Sequence, residues 1–290
     1  MATAEIIAPT PSPRRGSAAR EHFVRNPAAM FGVVVVVAAV ALAVIGPFLT
    51  PYSPHEDAGQ VLAAPSPAHP MGTDHLARDV FSRFIVGTRV SLMVGLSAAS
   101  IATLIGLLIG AAAGYLGGWV DALLMRAADI FLTIPMLVLG LALAVILGPS
   151  IVNIILIISL LAWPSMARLV RSEFLSLRER DYVRASVAVG SSPWWIVFRE
   201  ILPNVLPLIF VGWSYEVGGA IITEAGLSFL GLGDLQAGSW GIMLQDAQRF
   251  LRDGWWLSVF PGLGIALSVL SANLIGEGLN DALNPKLRGR

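Results

Sequence analysis

The chain has 290 residues, 56% hydrophobic and only 13% charged, with a mean hydropathy of +0.74. That is too few charges to cover a soluble protein of this size, where about 25% is usual. Nineteen cations balance 19 anions, so no net basic field points to nucleic acid, and the lack of cysteine excludes disulfides, thiolate metal sites and cysteine nucleophiles. The composition is that of a polytopic membrane protein.

A bilayer core of about 30 Å asks for roughly 20 apolar residues per helix. Six stretches of the chain meet that length. A polar leader, 1–27, precedes the first, a Val-rich run at 28–49. Ala41-Leu42-Ala43 resembles a signal cleavage site, but the long leader and long apolar run predict a retained helix. Residues 50–89 read as a loop carrying Pro51, Pro54, Pro65, Pro67 and Pro70. Five further spans, near 91–115, 121–147, 151–168, 201–228 and 257–278, make up a core at 90–280, followed by a tail, 281–290.

Arg and Lys set the orientation. With the leader inside, Arg14, Arg15, Arg20 and Arg25 lie in the cytoplasm. So do Arg168, Arg171, Arg178, Arg180, Arg184 and Arg199, and in the tail Lys286, Arg288 and Arg290. Only Arg78, Arg83, Arg89, Arg249 and Arg252 fall outside. Both termini and the loop 169–200 are therefore expected in the cytoplasm.

In the second span Gly106, Gly110 and Gly114 stand four residues apart, the spacing of a close helix–helix contact. In the loop 169–200, Asp181 is expected to cap a short helix that Gly190 stops. Ser192 caps a second, with Pro193 at its first position, and Pro203 is expected to break the chain before the fifth span. Such a knob, with small residues at Ala185, Ser186 and Ala188, suits either a docking partner or a helix lying on lipid headgroups. The physics alone leaves both open.

Arg184-Ala185-Ser186-x3-Gly190, with Leu202-Pro203 following at a set distance, resembles the E-A-A-x3-G-x9-I-x-L-P loop of binding-protein-dependent ABC importer permeases. Arg184 stands at the Glu position of that loop and Glu200 at its Ile position. The chain is also similar to the second permease subunit of dipeptide and oligopeptide importers. That likeness rests on His69-Pro70-Met71-Gly72-Thr73-Asp74, Arg78-Asp79-Val80-x-Ser82-Arg83, Ala113-Gly114-Tyr115-x-Gly117-Gly118-Trp119-Val120-Asp121 and Leu227-Ser228-Phe229-Leu230-Gly231-Leu232-Gly233. Trp240-Gly241, Phe260-Pro261-Gly262 and Asp281-Ala282-Leu283-x-Pro285 extend it.

The resemblance implies an all-α type I ABC importer permease with six transmembrane helices in a bacterial-type cytoplasmic (inner) membrane. It would supply half of a path for dipeptides or oligopeptides beside a homologous second permease. Two cytoplasmic ATPase subunits or domains and an external substrate-binding protein would complete the machine. Asp181, Tyr182, Val183, Arg184, Ala185, Ser186, Gly190, Ser192, Pro193 and Trp194 would couple it to the ATPases. The resemblance implies no cofactor in this chain, with ATP and Mg held by the ATPases. The only lysine, Lys286, has no G-x4-G-K context, so no phosphate-binding loop is present. Nickel, glutathione or another small solute remains an alternative cargo. An ion-coupled secondary transporter is a further alternative, but it would need inverted halves.

Asp129, Glu216 and Glu224 fall within apolar spans, where carboxylates are costly and face the bundle interior or water. All three are candidates for lining the path. Glu216 would meet the amino group of a peptide, or else pair with Arg126 or the partner subunit. Gly231-Leu232-Gly233-Asp234 matches a fragment of intramembrane aspartyl proteases, but the second aspartate such chemistry needs has no counterpart. His69, Asp74 and His75 carry metal-ligating atoms, although without a His-x3-His pair a structural role is favoured.

Overall fold

The computed structural model describes residues 15–48, 50 and 52–283. Arg14, Leu49, Pro51, Pro285, Lys286, Arg288 and Arg290 lie outside them. Every regular element described is helical, apart from one isolated bridge between Thr73 and Asp79.

Helix α1 (Arg15–Arg25) meets α2 (Pro27–Ile45) at Asn26, whose side chain accepts from the Ala28 and Ala29 amides at 3.0 and 3.1 Å. Pro27 at the first helical position needs no such partner. α2 is apolar on all sides and largely uncovered by the rest of the chain, touching α11 (Trp256–Leu283) and the side of α3 (Val80–Leu116). Its Gly32 lies against the Ser271 carbonyl.

Helix α3 begins at Val80, well before residue 91. Asp79 caps it, accepting from the Ser82 amide at 2.8 Å and the Ser82 hydroxyl at 2.7 Å. The early turns are polar, so apolar content alone places the start too late. The third expected span is a bent pair, α4 (Gly118–Thr133) and α5 (Met136–Leu147), turned by 87° at Ile134–Pro135. The cause is local: the residue before a proline is pushed out of the helical region, and Ile134 is extended at φ −93°, ψ 130°. Counting that pair as one span gives six, with five continuous apolar helices besides.

Helix α6 (Ile151–Arg178) continues well past Arg168 as a polar extension that leads to α7 (Asp181–Ala188). A second difference concerns Pro203. The chain is not broken there: α8 (Pro193–Trp195), a π segment Ile196–Ile201 and α9 (Leu202–Leu227) run on as one helix into a segment Ser228–Leu232 that is kinked at Gly231, φ +89°. A proline inside a helix removes one amide and clashes with the carbonyl four residues back. The wider π turn, where the Leu202 amide reaches the Val197 carbonyl, absorbs the misfit. α10 (Trp240–Ala247) is a short helix lying across the ends of the bundle.

Helix α3 is the centre of the packing, with α6, α9, α2 and α4 around it. Its three spaced glycines all face α6. A Cβ at Gly110 would lie 2.4 Å from the Ala167 carbonyl, at Gly106 2.6 Å from Met166 Cβ and at Gly114 2.6 Å from Phe174 Cβ. α3 therefore puts no side chain into the seam, and its backbone meets the Ala167 carbonyl and the side chains of Met166, Val170 and Phe174 directly. Gly219 on α9 is the contrasting case, with nothing within 4 Å of its Cβ position. Gly110→Ala should lower stability by about 1–3 kcal/mol, while Gly219→Ala should be neutral or slightly stabilising. Thermal unfolding of the two detergent-solubilised variants checks this, and equal midpoints would contradict it.

Candidate functional site

The knob between α6 and α9 is built from caps. Arg180, not Asp181, is the extended N-cap residue of α7, and Asp181 occupies the first turn, where a carboxylate suits the helix dipole. The helix ends at Val189, and Gly190 follows at φ +82°, the left-handed geometry of a helix stop. The Ser192 hydroxyl accepts from the Trp195 amide at 3.3 Å, with Pro193 next in line.

Val183 is buried and seats α7 on Ile196 and Ile201 of the π segment. Around it the surface is open: Tyr182, Val187, Val189 and Trp194 are exposed, Val189 at 82% and Trp194 at 73%. Trp194 stacks on Phe198 with ring centroids 5.3 Å apart, and Arg199 lies over the Trp195 ring. Ala185 is exposed on the same short helix. The result is a largely exposed aromatic and aliphatic surface.

Both departures from the resembled loop have structural counterparts. Ser186, at the second Ala position, donates its hydroxyl to Glu200, which stands at the Ile position, tying α7 to the π segment. Arg184, at the Glu position, pairs with Glu179. That hydrogen bond holds the Glu179 carboxyl below its ordinary pKa. Pairs joining α6 to its neighbours lie close by. Arg171 grips Asp121 of α4 through two bonds of 2.5 and 2.6 Å, and Arg178 donates to the Tyr115 carbonyl at 2.9 Å.

The three span carboxylates have different surroundings. Asp129 is exposed on α4 and paired with Arg168 of α6. Glu224 faces inward at 1% exposure, accepting from Ser228 at 2.7 Å, Ser239 at 2.6 Å and Ser91 at 3.3 Å. It ties α9, α3 and the residue capping α10 together, and in this conformation it reaches no open face. Glu216 is half-buried and has no hydrogen-bond or ion-pair partner among the described residues, so it is not paired with Arg126. Gly219, with its open Cβ position, lies one turn further on.

At the other end of α3 the motif 69–83 forms a closed cap. Asp74 accepts from the Leu76 and Arg78 amides and from both Arg78 Nε (2.7 Å) and Arg83 (2.5 Å). Arg83 and Arg78 also reach Asp246 of α10, at 2.8 and 3.3 Å. His69 bonds Asp79 at 2.9 Å, and His75 stacks on Phe250 rather than joining His69. Gly72, at φ +74°, leaves room for the Trp256 indole, which donates to the Thr73 carbonyl. Asp234 accepts from the Gln236 amide in its own turn. Asp246, Ser91 and Ser239 went unread in the sequence, since each gains meaning only from a partner more than one element away.

A family model described as binding-protein-dependent transport system inner membrane component matches residues 102–289. The chain belongs to that family. Within it, a model of the N-terminal TM domain of oligopeptide transport permease C matches residues 15–65. Among relatives, the dipeptide transport system permease protein DppC of Alkalihalophilus pseudofirmus is 40% identical over 91% of this chain and 88% of its own length. The probable D,D-dipeptide transport system permease protein DdpC of Escherichia coli is 40% identical over 91% and 90%. The glutathione transport system permease protein GsiD of Pectobacterium atrosepticum is 38% identical over 92% and 90%. A chain of the MetNI methionine ABC transporter in inward-facing conformations shares the fold, with a TM-score of 0.54 and 20% identity over 68% of this chain and 96% of that one. The fold is thus the all-helical type I ABC importer permease fold, in a multi-pass component of the inner membrane.

The cap of this permease carries a pH signature. Burial acts to raise the Asp74 carboxyl, but the Arg83 charge, the Arg78 amide and charge and the Leu76 amide together hold it below its ordinary value. A depressed folded pKa contributes stability that is present above the unfolded value of about 3.9 and lost as pH falls through the folded one. The thermal unfolding midpoint should therefore fall on acidification below about pH 4. Asp74→Asn should remove that part of the dependence and cost about 3 kcal/mol at neutral pH, because two arginines lose their partner. An unchanged acid limb in the variant would contradict the assignment.

Proposed function

We propose that this permease forms half of the path of an ATP-driven importer of dipeptides or oligopeptides, beside a homologous second permease. Two ATPase subunits act from the cytoplasm, and an external binding protein delivers the solute. The observation that carries the reading is the knob Asp181–Trp194: a capped, rigid helix pair with an exposed aromatic face, placed where the family's ATPase-docking loop lies. Asp181, Tyr182, Val183, Arg184, Ala185, Ser186, Gly190, Ser192, Pro193 and Trp194 make up that coupling element. Peptide cargo is supported by the names of the relatives, with glutathione and nickel as the neighbouring alternatives. In this reading ATP and Mg are held by the partner ATPases.

Glu216 and Gly219 mark the open face of α9 as the wall of the path. Asp129, exposed on α4 beside Arg168 of α6, is a further candidate for the wall. Glu224 would serve the path indirectly, by holding α9 to α3.

Gly190 tests the coupling. Its Cβ position is empty to 4 Å, so a substitution alters backbone geometry alone. Gly190→Val places a β-branched residue in left-handed geometry at a cost of about 1–3 kcal/mol, whereas Asn tolerates that region. In the reconstituted transporter the Val variant should lose transport and the stimulation of ATPase by loaded binding protein, with normal membrane insertion. The Asn variant should keep both. Full coupling in the Val variant would overturn the docking role and favour a helix resting on lipid.

The positive-inside bias supports cytoplasmic termini. Single cysteines at the exposed positions Ser66 and Asp253 should react with an impermeant thiol reagent in intact cells, and those at Ser176 and Val189 only after permeabilisation. The opposite pattern would invert the topology.

A further inference from the structure

Helix α7 has 8 residues, too few to hold its shape or its place by itself. Its seat on the helix that begins at Pro193 therefore depends on its anchors. Val183 is one, buried with Ile196 and Ile201. An apolar contact is non-directional, so a single one leaves the short helix free to rock about it. Ser186 lies three residues further on, along the same face of α7, and its hydroxyl donates to Glu200.

Glu200 is half-buried, and its Oε2 is shut off from solvent with no hydrogen-bond partner among the described residues. Ser186 is the one side-chain donor to this carboxylate among those residues, and no cation there pairs with it. The main chain of Glu200 is held as well, since Asn204 Nδ2 donates to its carbonyl at 2.6 Å. Ser186 and Glu200 stand where the resembled loop has Ala and Ile. The two departures complement each other: a carboxylate at the Ile position needs a donor, and a hydroxyl at the Ala position supplies it.

We propose that Glu200 is a positioning residue for coupling: by holding Ser186 it fixes the orientation of α7 on the π segment, so that a load on the knob reaches α9. The proposal rests on the docking role of α7. Its two halves are unequal. With Glu200 replaced by an apolar residue, the Ser186 hydroxyl still has the Tyr182 carbonyl at 3.2 Å. With Ser186 replaced by alanine, both carboxylate oxygens are left without a donor. Loss of the serine is therefore the more damaging change, and replacing both residues restores an apolar pair.

The test uses the complete transporter, reconstituted with its partner subunits and given an equimolar mixture of dipeptides as the probe. Uptake per ATP hydrolysed should fall roughly tenfold in Ser186→Ala, the size of one hydrogen bond to a charged group. It should stay near native in Glu200→Gln, which keeps the acceptor, and recover when Glu200→Ile is added to Ser186→Ala. A tie that only stabilised the fold would lower the amount of assembled complex and leave this ratio intact. Spin labels at the exposed positions Val187 and Leu206 give a readout independent of cargo. Their distance distribution should be narrow in the native chain and in Glu200→Gln, and broad in Ser186→Ala. A cysteine at the exposed Val189 of the otherwise native chain should crosslink to an ATPase subunit. Absence of that crosslink overturns the docking role and this proposal with it. Where the crosslink forms, three results each overturn the role of Glu200 alone: native uptake per ATP in Ser186→Ala, no recovery in the double variant, or an unchanged distance distribution.

Discussion

Contact between the backbones of α3 and α6 is the constraint on which the rest depends. In hydrocarbon, helices gain little from burying apolar side chains against each other, because lipid is equally apolar. Association must come from close van der Waals fit, and Gly106, Gly110 and Gly114 permit it by removing the side chains of α3 from the contact. With α6 seated, Arg171 comes within reach of Asp121 and Arg178 within reach of the Tyr115 carbonyl. Those bonds set the exit of α6, and so the position of the knob beyond it.

Polar groups inside the bundle act as ties rather than as solvated sites. Glu224 collects three hydroxyls from two other stretches of chain, Ser91 on α3 and Ser239 before α10, besides its own neighbour Ser228. A buried carboxylate so held specifies one arrangement of α3, α9 and α10, since any slip strands it among apolar groups. The cap around Asp74 and Asp246 does the same outside the span, where two arginines bridge the loop to α10. Glu216, half-buried without such ties, is the exception.

Much of this was legible in the sequence, and the division has a physical basis. Spans are read from about 20 residues of composition, a signal that survives errors at single positions. The glycine ladder on α3 and the caps at Gly190, Ser192 and Pro193 are local codes, and each sits where its spacing puts it. Prolines were less readable. Pro164, Pro207 and Pro261 stay inside helices, Pro135 makes a bend of 87°, and Pro203 is absorbed by a π turn. The outcome depends on whether neighbouring helices and a widened turn can accommodate the lost hydrogen bond, which one sequence does not encode locally. Ser91 and Ser239 as partners of Glu224, Asp246 as a partner of Arg78 and Arg83, and Ser186 as a partner of Glu200 were unreadable for a simpler reason: each comes from a different element.

The π segment before Pro203 gives the knob a mechanical character that a loop would lack. A flexible connector can be pushed without disturbing the helix attached to it, because its torsions take up the displacement. Here residues 193–230 form one continuous helical rod, up to the kink at Gly231, and the knob's Val183 is packed onto its first turns. A push on the exposed face of α7 is therefore applied to one end of a lever whose far end carries Glu224 and the residues beside α10. Tilting that rod by a few degrees moves its two ends in opposite directions, so closing one mouth and opening the other become a single displacement.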